Sequence, residues 1–372
     1  MKILFILDLF KPHVWWVEIL FDNVIKWLLE KWHKVTVLTS KFSPDLKNHE
    51  KIDDNYEIYR VWHNRYDFML YSLWIGVKLA RKADIIHTTT YNSAIPASII
   101  GKISGKRVVL TVHEIFGKLR YTFMWRKWFF FKLFEDLIFK FPFDSFVCVS
   151  NYTKNNLRIN YWLPDDKLIT IYNGIDYDHW NKDSFSEKDI NQIKQELGLK
   201  SSYTWLYFWR PWISKWLKYF IGSIPKIIQK IPNFKAILIV SESENNPADL
   251  EKQLITTLWI QKHIIWIPGV KYAQLGNYIL ASDFVVVPSL VEWFWFSAAE
   301  TCALGQQLIV TNVASLPEVV SWKINFVWSS NSQDIADKAI DFYHWKYTTI
   351  PEKMFYWEDN IERVLGVYNN LV

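Results

Sequence analysis

Glycine is scarce in this chain, with 11 in 372 residues, roughly 3% where ~7% is ordinary. No G-x-G-x-x-G follows any strand-like run, which excludes a dinucleotide-binding dehydrogenase of Rossmann type. Cysteine is scarcer, with only Cys148 and Cys302. Both stand in apolar contexts and read as buried free thiols in a reducing compartment. Long hydrophobic runs are missing, and without 18 or more consecutive apolar residues nothing spans a membrane. The opening MKILFILDLF is broken by Asp8 and lacks a small-residue cleavage site. It reads as a first parallel strand rather than a signal peptide. Nor is one charge sign missing: the net charge is +5 with both signs interspersed. That is too mild for a nucleic-acid partner and compatible with an anionic substrate or a membrane surface.

Tryptophan is abundant instead, at 22 residues, roughly 6% of the chain and far above ordinary usage. Many of these tryptophans fall at helix ends and turns, where a positive φ or a close backbone approach is wanted. Returning roughly fifteen of them to glycine would bring glycine to about 26, the ordinary ~7%. The pattern is that of UGA codons written as tryptophan in a gene whose cell reads UGA as glycine. Trp180, after Asp-His in a loop, and Trp357, before an acidic helix start, read as genuine. The alternative is a tryptophan-rich protein with an unusual core.

Half of the residues are apolar, ample for two cores, and the length suggests two domains at ~150 residues each. Short β-rich runs alternate with helical patterns. Strands are expected at Ile3–Leu7, Val35–Thr39, Glu57–Val61, Asp84–His87, Val108–Val112, Ser145–Val149 and Leu168–Tyr172, with helices such as Val17–Lys31 and Asn92–Ser104 between them. A polar linker runs from Asn173 to about Ser201. The alternation then restarts, with strands at Thr204–Phe208, Lys235–Val240, Ile264–Ile267, Phe284–Val287 and Gln307–Val310. Helices are expected at Lys215–Lys230, Leu250–Leu258, Tyr272–Ala281 and Ser297–Leu304. This βαβα order predicts an α/β protein with doubly wound parallel sheets and right-handed crossovers.

Pro288 to Glu300, PSLVEWFWFSAAE, is the most informative stretch. An apolar strand leads to a loop with Glu292, and a small-residue helix carries Glu300. In an open α/β sheet a strand's C-terminal end followed by a helix N-terminus is where ligands bind. Arg210 follows another strand and Lys215 opens the next helix. Their spacing lets a forked and a point cation face one anion. His113 ends a strand in VLTVHEIFG, with Glu114 beside it. Ser150-Asn151, with Thr153, reads most simply as an N-cap. Glu18 reads as a first-turn helix acid. Tyr121 to Phe143 packs Phe and Trp among Arg126, Lys127, Lys132 and Lys140, a composition suited to an interfacial helix on an anionic membrane surface. A core helix with a wet charged face is the alternative.

Together these segments resemble the retaining GT-B glycosyltransferases of family four (glycosyl transferases group 1) over nearly the whole chain. The family's E-x7-E element is matched by Glu292 and Glu300, with E-G-F-G read here as Glu292-Trp293-Phe294-Trp295. Its Gly-Gly pair falls on Trp15-Trp16, its G-R on Trp209-Arg210 and its K-G on Lys215-Trp216. Its K-G-H falls on Lys31-Trp32-His33 and its N-G-I-D on Asn173 to Asp176. Gln306-Gln307 departs from the usual G-x-P.

The resemblance implies a GT-B fold, two Rossmann-like domains facing across a cleft. Residues 1–172 would form an acceptor-side domain, with a C-terminal helix at about 350–372 packing back on it, and 173–349 the nucleotide-sugar domain. It implies transfer of a hexosyl unit from a nucleotide-diphosphate sugar to a sugar or lipid-linked acceptor with retention of configuration. His113 and Glu292 would be catalytic. Trp15, Trp16, Arg210, Lys215, Phe294, Trp295, Phe296 and Glu300 would bind the donor, with Glu300 on the ribose and Arg210 and Lys215 on the diphosphate. Glu114 and Asn173 would stand near the site. His113 would orient hydroxyls or the leaving group. No cofactor and no dedicated metal are expected, because there is no Asp-x-Asp at the cleft positions. Mannosyl, glucosyl and N-acetylglucosaminyl donors all remain open. The expected location is cytoplasmic, peripheral at the inner face of the membrane. A non-catalytic GT-B scaffold is the alternative if the tryptophans are literal.

Overall fold

The computed structural model describes residues 1–13, 16–61, 67–116, 128–209, 216–242, 248–291, 294 and 296–372, without the side chains of Trp16 and Trp128. Its contacts divide the chain into two compact units, Met1–Gly174 with Phe355–Val372, and Ile175–Met354.

In the first unit the strands are β1 Lys2–Ile6, β2 Lys34–Ser40, β3 His49–Lys51, β4 Tyr56–Val61, β5 Ile85–Thr89, β6 Arg107–Val112, β7 Ser145–Cys148 and β8 Leu168–Thr170. They form one sheet in the order β3-β4-β2-β1-β5-β6-β7-β8. Only the edge strand β3 runs antiparallel. The central strands are largely apolar or β-branched, as strands covered on both faces tend to be, and every residue of β5, His87 included, is buried. Strand order reverses between β1 and β5, because β1 pairs with β2 on one side and β5 on the other.

The second unit repeats the plan with β9 Tyr203–Trp209, β10 Phe234–Val240, β11 Ile264–Pro268, β12 Phe284–Val287, β13 Gln307–Thr311, β14 Trp322–Val327 and β15 Thr348–Ile350. The order is β11-β10-β9-β12-β13-β14-β15, with only β15 antiparallel. Here the reversal lies between β9 and β12, since β9 pairs with both β10 and β12. Trp205, Phe220, Phe234 and Phe284 fill the core on one face of this sheet, the Trp205 and Phe284 rings 4.1 Å apart. Burying a side chain of that size contributes roughly 1.5–3 kcal/mol.

The junctions between the units differ by a few residues from the expected 172/173 and 349/350. Gly174 stays with the first unit because the Trp357 side chain lies against it: a Cβ there would meet a ring carbon at 2.3 Å. Asn360 Nδ2 also donates to the Tyr172 carbonyl at 2.7 Å. Residues 350–354 stay with the second unit because β15 zips onto β14 and Lys353 Nζ donates to the Pro317 carbonyl at 2.8 Å. The C-terminal helix Trp357–Leu371 belongs to the first unit, where Tyr368 is buried and hydrogen-bonded to His87. The polar stretch expected as a linker contains a helix, Glu187–Glu196, none of whose residues is buried. Both cysteines are buried free thiols.

The backbone enters the left-handed region at eight non-glycine residues among those described, and six are tryptophan: Trp32, Trp162, Trp216, Trp259, Trp322 and Trp345. The left-handed conformation costs an L-residue with a Cβ about 1–2 kcal/mol.

Candidate active site

Each sheet has a strand-order reversal, and the C-terminal strand ends beside it are the place where open α/β sheets take ligands. In the second unit the two strands flanking the reversal are β9 and β12. The segment leaving β9 carries Arg210 and Lys215, and the one leaving β12 carries Glu292, Trp293 and Trp295. Those five residues lie outside the described ones, as does Trp15 in the first unit. Trp209 closes β9 half-buried, its ring stacked on Phe208 at 4.5 Å. Phe294 and Phe296 meet edge to face at 5.2 Å.

Glu300 sits in the helix Phe296–Ala303 and is 4% exposed. Ala298 and Ala299, both buried, let this helix sit close to the sheet. Tyr272 Oη donates to Glu300 Oε1 at 2.5 Å, and Trp180 Nε1 donates to Tyr272 Oη at 2.9 Å. Burial, only partly offset by these bonds, pushes the Glu300 carboxyl up to about 7.

Trp180 reaches this position through a local turn. The Asp176 side chain accepts from the His179 amide at 3.1 Å, and the Asp176 carbonyl accepts from the Trp180 amide at 2.8 Å. The N-G-I-D segment is thus architectural and delivers an aromatic wall to the acid. His179 adds a ring stacked on Tyr272 at 5.7 Å. Sequence reading missed Tyr272, His179 and Asp176 as neighbours of Glu300; the turn-forming Asp followed by His-Trp was the available signal.

In the first unit His113 leaves the end of β6, buried, with Phe21 edge-on at 5.9 Å. Burial pulls its imidazole down to about 3, so it is neutral at physiological pH. His87, beneath it in β5, is likewise brought down to about 3, by burial and then by His113. His87 Nε2 bonds to Thr111 Oγ1 at 2.7 Å.

The loops after β1 and β5 are tied together by Asn92 Nδ2 donating to Asp8 Oδ2 at 3.2 Å. The Glu114 carbonyl accepts from Tyr91 Oη at 3.1 Å. Asn173 is buried, and its Nδ2 has no hydrogen-bond partner among the described residues. Trp16 opens the helix Trp16–Glu30. Glu18, expected to act through the helix dipole, is buried and pairs with His13 at 3.2 Å. Ser150 is an N-cap, its Oγ accepting from the Thr153 amide at 3.1 Å. Among the described residues no group of three or more His, Cys, Asp or Glu is placed to hold a metal ion.

Comparison with known proteins converges on one family. The model described as Glycosyltransferase Family 4 matches residues 17–179, and that described as Glycosyl transferases group 1 matches 204–344. An uncharacterized glycosyltransferase of Methanocaldococcus jannaschii is 26% identical over 183 residues, 49% of this chain and 46% of that protein. The chain thus aligns with less than half of that relative's length. One component of the human phosphatidylinositol N-acetylglucosaminyltransferase is 21% identical, over 98% of this chain and 75% of that one. Among solved structures, Anabaena HepE in complex with UDP and glucose superposes with a TM-score of 0.77 at 16% identity, covering 100% of both chains. A Rickettsia africae glycosyltransferase gives 0.75 at 17% identity, covering 100% of this chain and 98% of that one. The shared fold is GT-B.

Proposed function

Because the chain belongs to the family-four, group-1 glycosyltransferases, we propose that it moves a hexosyl unit from a nucleotide-diphosphate sugar to a sugar or lipid-linked acceptor, keeping the anomeric configuration. The observation that carries this reading is the reversal between the neighbouring strands β9 and β12, which the Arg210–Lys215 and Glu292–Glu300 segments follow in sequence. Cations leaving one strand and acids leaving the next suit a ligand that is anionic at one end and rich in hydroxyls at the other. The complex of HepE with UDP and glucose supports a nucleotide-sugar donor. The phosphatidylinositol glycosyltransferase relative supports a lipid-linked acceptor.

In this reading Arg210 and Lys215 bind the diphosphate and stabilise the charge that grows on it as the anomeric C–O bond breaks. They do so without a dedicated metal. Glu300 accepts hydrogen bonds from the ribose hydroxyls, with Tyr272 and Trp180 holding the carboxyl in place. Glu292 stands by the donor sugar with Phe294, Trp295 and Phe296 around it, and position 209 and the Trp15-Trp16 pair flank the phosphates. His113, being neutral, orients a sugar hydroxyl or the leaving group by hydrogen bonding and supplies no positive charge. Glu114 and Asn173 stand near the reacting sugar. The acceptor hydroxyl oxygen bonds to the anomeric carbon as the C–O bond to the diphosphate breaks, and its proton passes to the departing diphosphate.

The helix Trp128–Ile138 supports a peripheral place at the inner, cytoplasmic face of a membrane. Phe129, Phe130, Phe131, Leu133 and Leu137 are exposed on it. Its buried side holds Glu135, which accepts from Tyr161 Oη at 2.6 Å and the Phe116 amide at 3.0 Å. An acid inside and apolar rings outside reverse the pattern of a core helix and suit the interface of a bilayer. Residues 121–127, with Arg126 and Lys127, lie outside the described ones. No described helix is long and apolar enough to cross a membrane.

Arg210→Ala and Lys215→Ala are each expected to weaken nucleoside diphosphate binding by about 10- to 100-fold, the ~1.5–3 kcal/mol of a charge-assisted bond. Nucleoside binding should hardly change. Calorimetric titration with both ligands checks this, and equal losses would remove the two cations from the phosphate site.

A further inference from the structure

The six left-handed tryptophans are not scattered. Trp32, Trp259 and Trp345 each follow the end of a helix: Trp16–Glu30, Asp249–Thr257 and Ser332–Tyr343. Each closes it with the same pair of backbone bonds. The Trp32 amide donates to the Leu29 carbonyl at 2.9 Å and the His33 amide to Leu28 at 3.0 Å. Trp259 and Ile260 donate to Thr256 and Ile255 at 3.1 and 3.3 Å, and Trp345 and Lys346 to Phe342 and Asp341 at 2.9 and 2.8 Å. Two glycines of the chain make the identical closure: Gly198 and Leu199 donate to Gln195 and Lys194, Gly305 and Gln306 to Cys302 and Thr301. Both are left-handed, with φ of 64° and 63°. Trp162 caps the helix Asn151–Tyr161 in the same conformation. This helix-ending motif takes glycine because a Cβ is strained there.

The indoles give little back at these four positions, the one cation over such a ring among the described residues being Lys323 Nζ, 5.8 Å from that of Trp345. Trp32, Trp162, Trp259 and Trp345 are 85%, 87%, 84% and 73% exposed. A tryptophan selected as such is buried or hydrogen-bonded, and Trp180 is both, at 1% exposure with its indole N–H donating to Tyr272. Trp216 and Trp322 are left-handed at an element start, the first before the helix Leu217–Lys230 and the second opening β14.

We infer that positions 32, 162, 216, 259, 322 and 345 are glycine in the protein its own cell makes, the codon there being a UGA read as glycine. Backbone conformation points to glycine at all six positions and exposure at four of them, independently of the proposed activity. Its consequence for activity is direct. The family resemblance adds positions 15, 16, 209, 293 and 295 to the same set, and at a donor site glycine admits the ligand where indole fills its volume.

Peptide mass spectrometry of the protein purified from its native cells, read beside the gene, tests this. Glycine masses with UGA codons at the six positions, and a tryptophan mass at Trp180, are expected. Tryptophan masses with UGG codons at the six would overturn the inference. A second measurement tests the physical premise on recombinant protein. Replacing Trp32, Trp162, Trp259 and Trp345 together by glycine should raise the denaturant midpoint, whereas Trp180→Gly should lower it. A lower midpoint for the fourfold variant would mean that those indoles stabilise the fold, and would count against the inference.

Discussion

Glu300 shows what burying a single acid costs the fold. Its carboxyl is buried, is met by Tyr272, and is raised to about 7 from an ordinary 4.5. Between those values the native state holds the proton more tightly than the unfolded chain, so stability falls as pH rises through the window. The total is about 3 kcal/mol above pH 7. Glu300→Gln keeps the shape and removes the charge. It is expected to leave stability at pH 8 unchanged or higher while weakening donor binding at least tenfold, about 1.4 kcal/mol or more. Urea denaturation and nucleotide titration on the same preparation check both halves. Unchanged nucleotide affinity would remove Glu300 from the ribose. The acid itself was legible, because E-x7-E sits after an apolar strand. Its surroundings were not: Tyr272 and Trp180 are 92 residues apart in sequence, and their meeting follows from the packing of three segments. The joining of Asp8 to Asn92, 84 residues apart, was hidden for the same reason.

At the scale of elements, most strands that lie inside a sheet declared themselves, although β14 Trp322–Val327, paired on both sides, was not expected. Phe284–Val287 and the helix Tyr272–Ala281 stand at their expected bounds, since apolar runs bounded by polar turns leave little choice. Of the edge strands, β8 and β11 were expected and β3 and β15 were not: those two are three residues each and largely exposed, so neither periodicity nor hydrophobicity marks them. The helices Glu187–Glu196 and Phe68–Ala80 also escaped, one because it buries nothing, the other because its apolar residues lie on exposed faces too, Leu70 and Trp74 among them. The helix Trp128–Ile138 is the element with a function of its own to test. With Phe129, Phe130, Leu133 and Leu137 facing out, the protein is expected to float with anionic vesicles at low salt and to be released as salt screens nearby cations. Phe130→Ser with Leu133→Ser should weaken vesicle binding about a hundredfold or more and so abolish flotation, each lost apolar contact being roughly 1.5–3 kcal/mol. Equal flotation of that variant would show that this face does not meet lipid.

The whole molecule joins two units whose buried titratable groups respond to acid in opposite senses. In the first unit His87 and His113 are pulled down to about 3 from 6.5. Below 6.5 the unfolded chain takes up protons that the native unit refuses, so that unit loses stability as pH falls toward 3. In the second, Glu300 gains protection as pH falls from 7 to 4.5. Hydrogen exchange at pH 7.5 and 5.5, corrected for intrinsic rates, should therefore show the β6 region losing protection on acidification while the Phe296–Ala303 helix gains it. Parallel shifts in both would contradict the opposed titrations.

The central claim is that this scaffold, with glycine in its donor loops, transfers sugar from a nucleotide with retention. The most direct measurement is proton NMR of the glycine-bearing protein with a panel of nucleotide-diphosphate glucose, mannose and N-acetylglucosamine donors, recording nucleotide release and the anomeric signal of the product. One donor should be consumed, slowly by water alone and faster with acceptor, and the product should keep the donor's anomeric configuration. A folded, glycine-bearing protein that turns over no donor in the panel, or one whose product is inverted, would contradict the account.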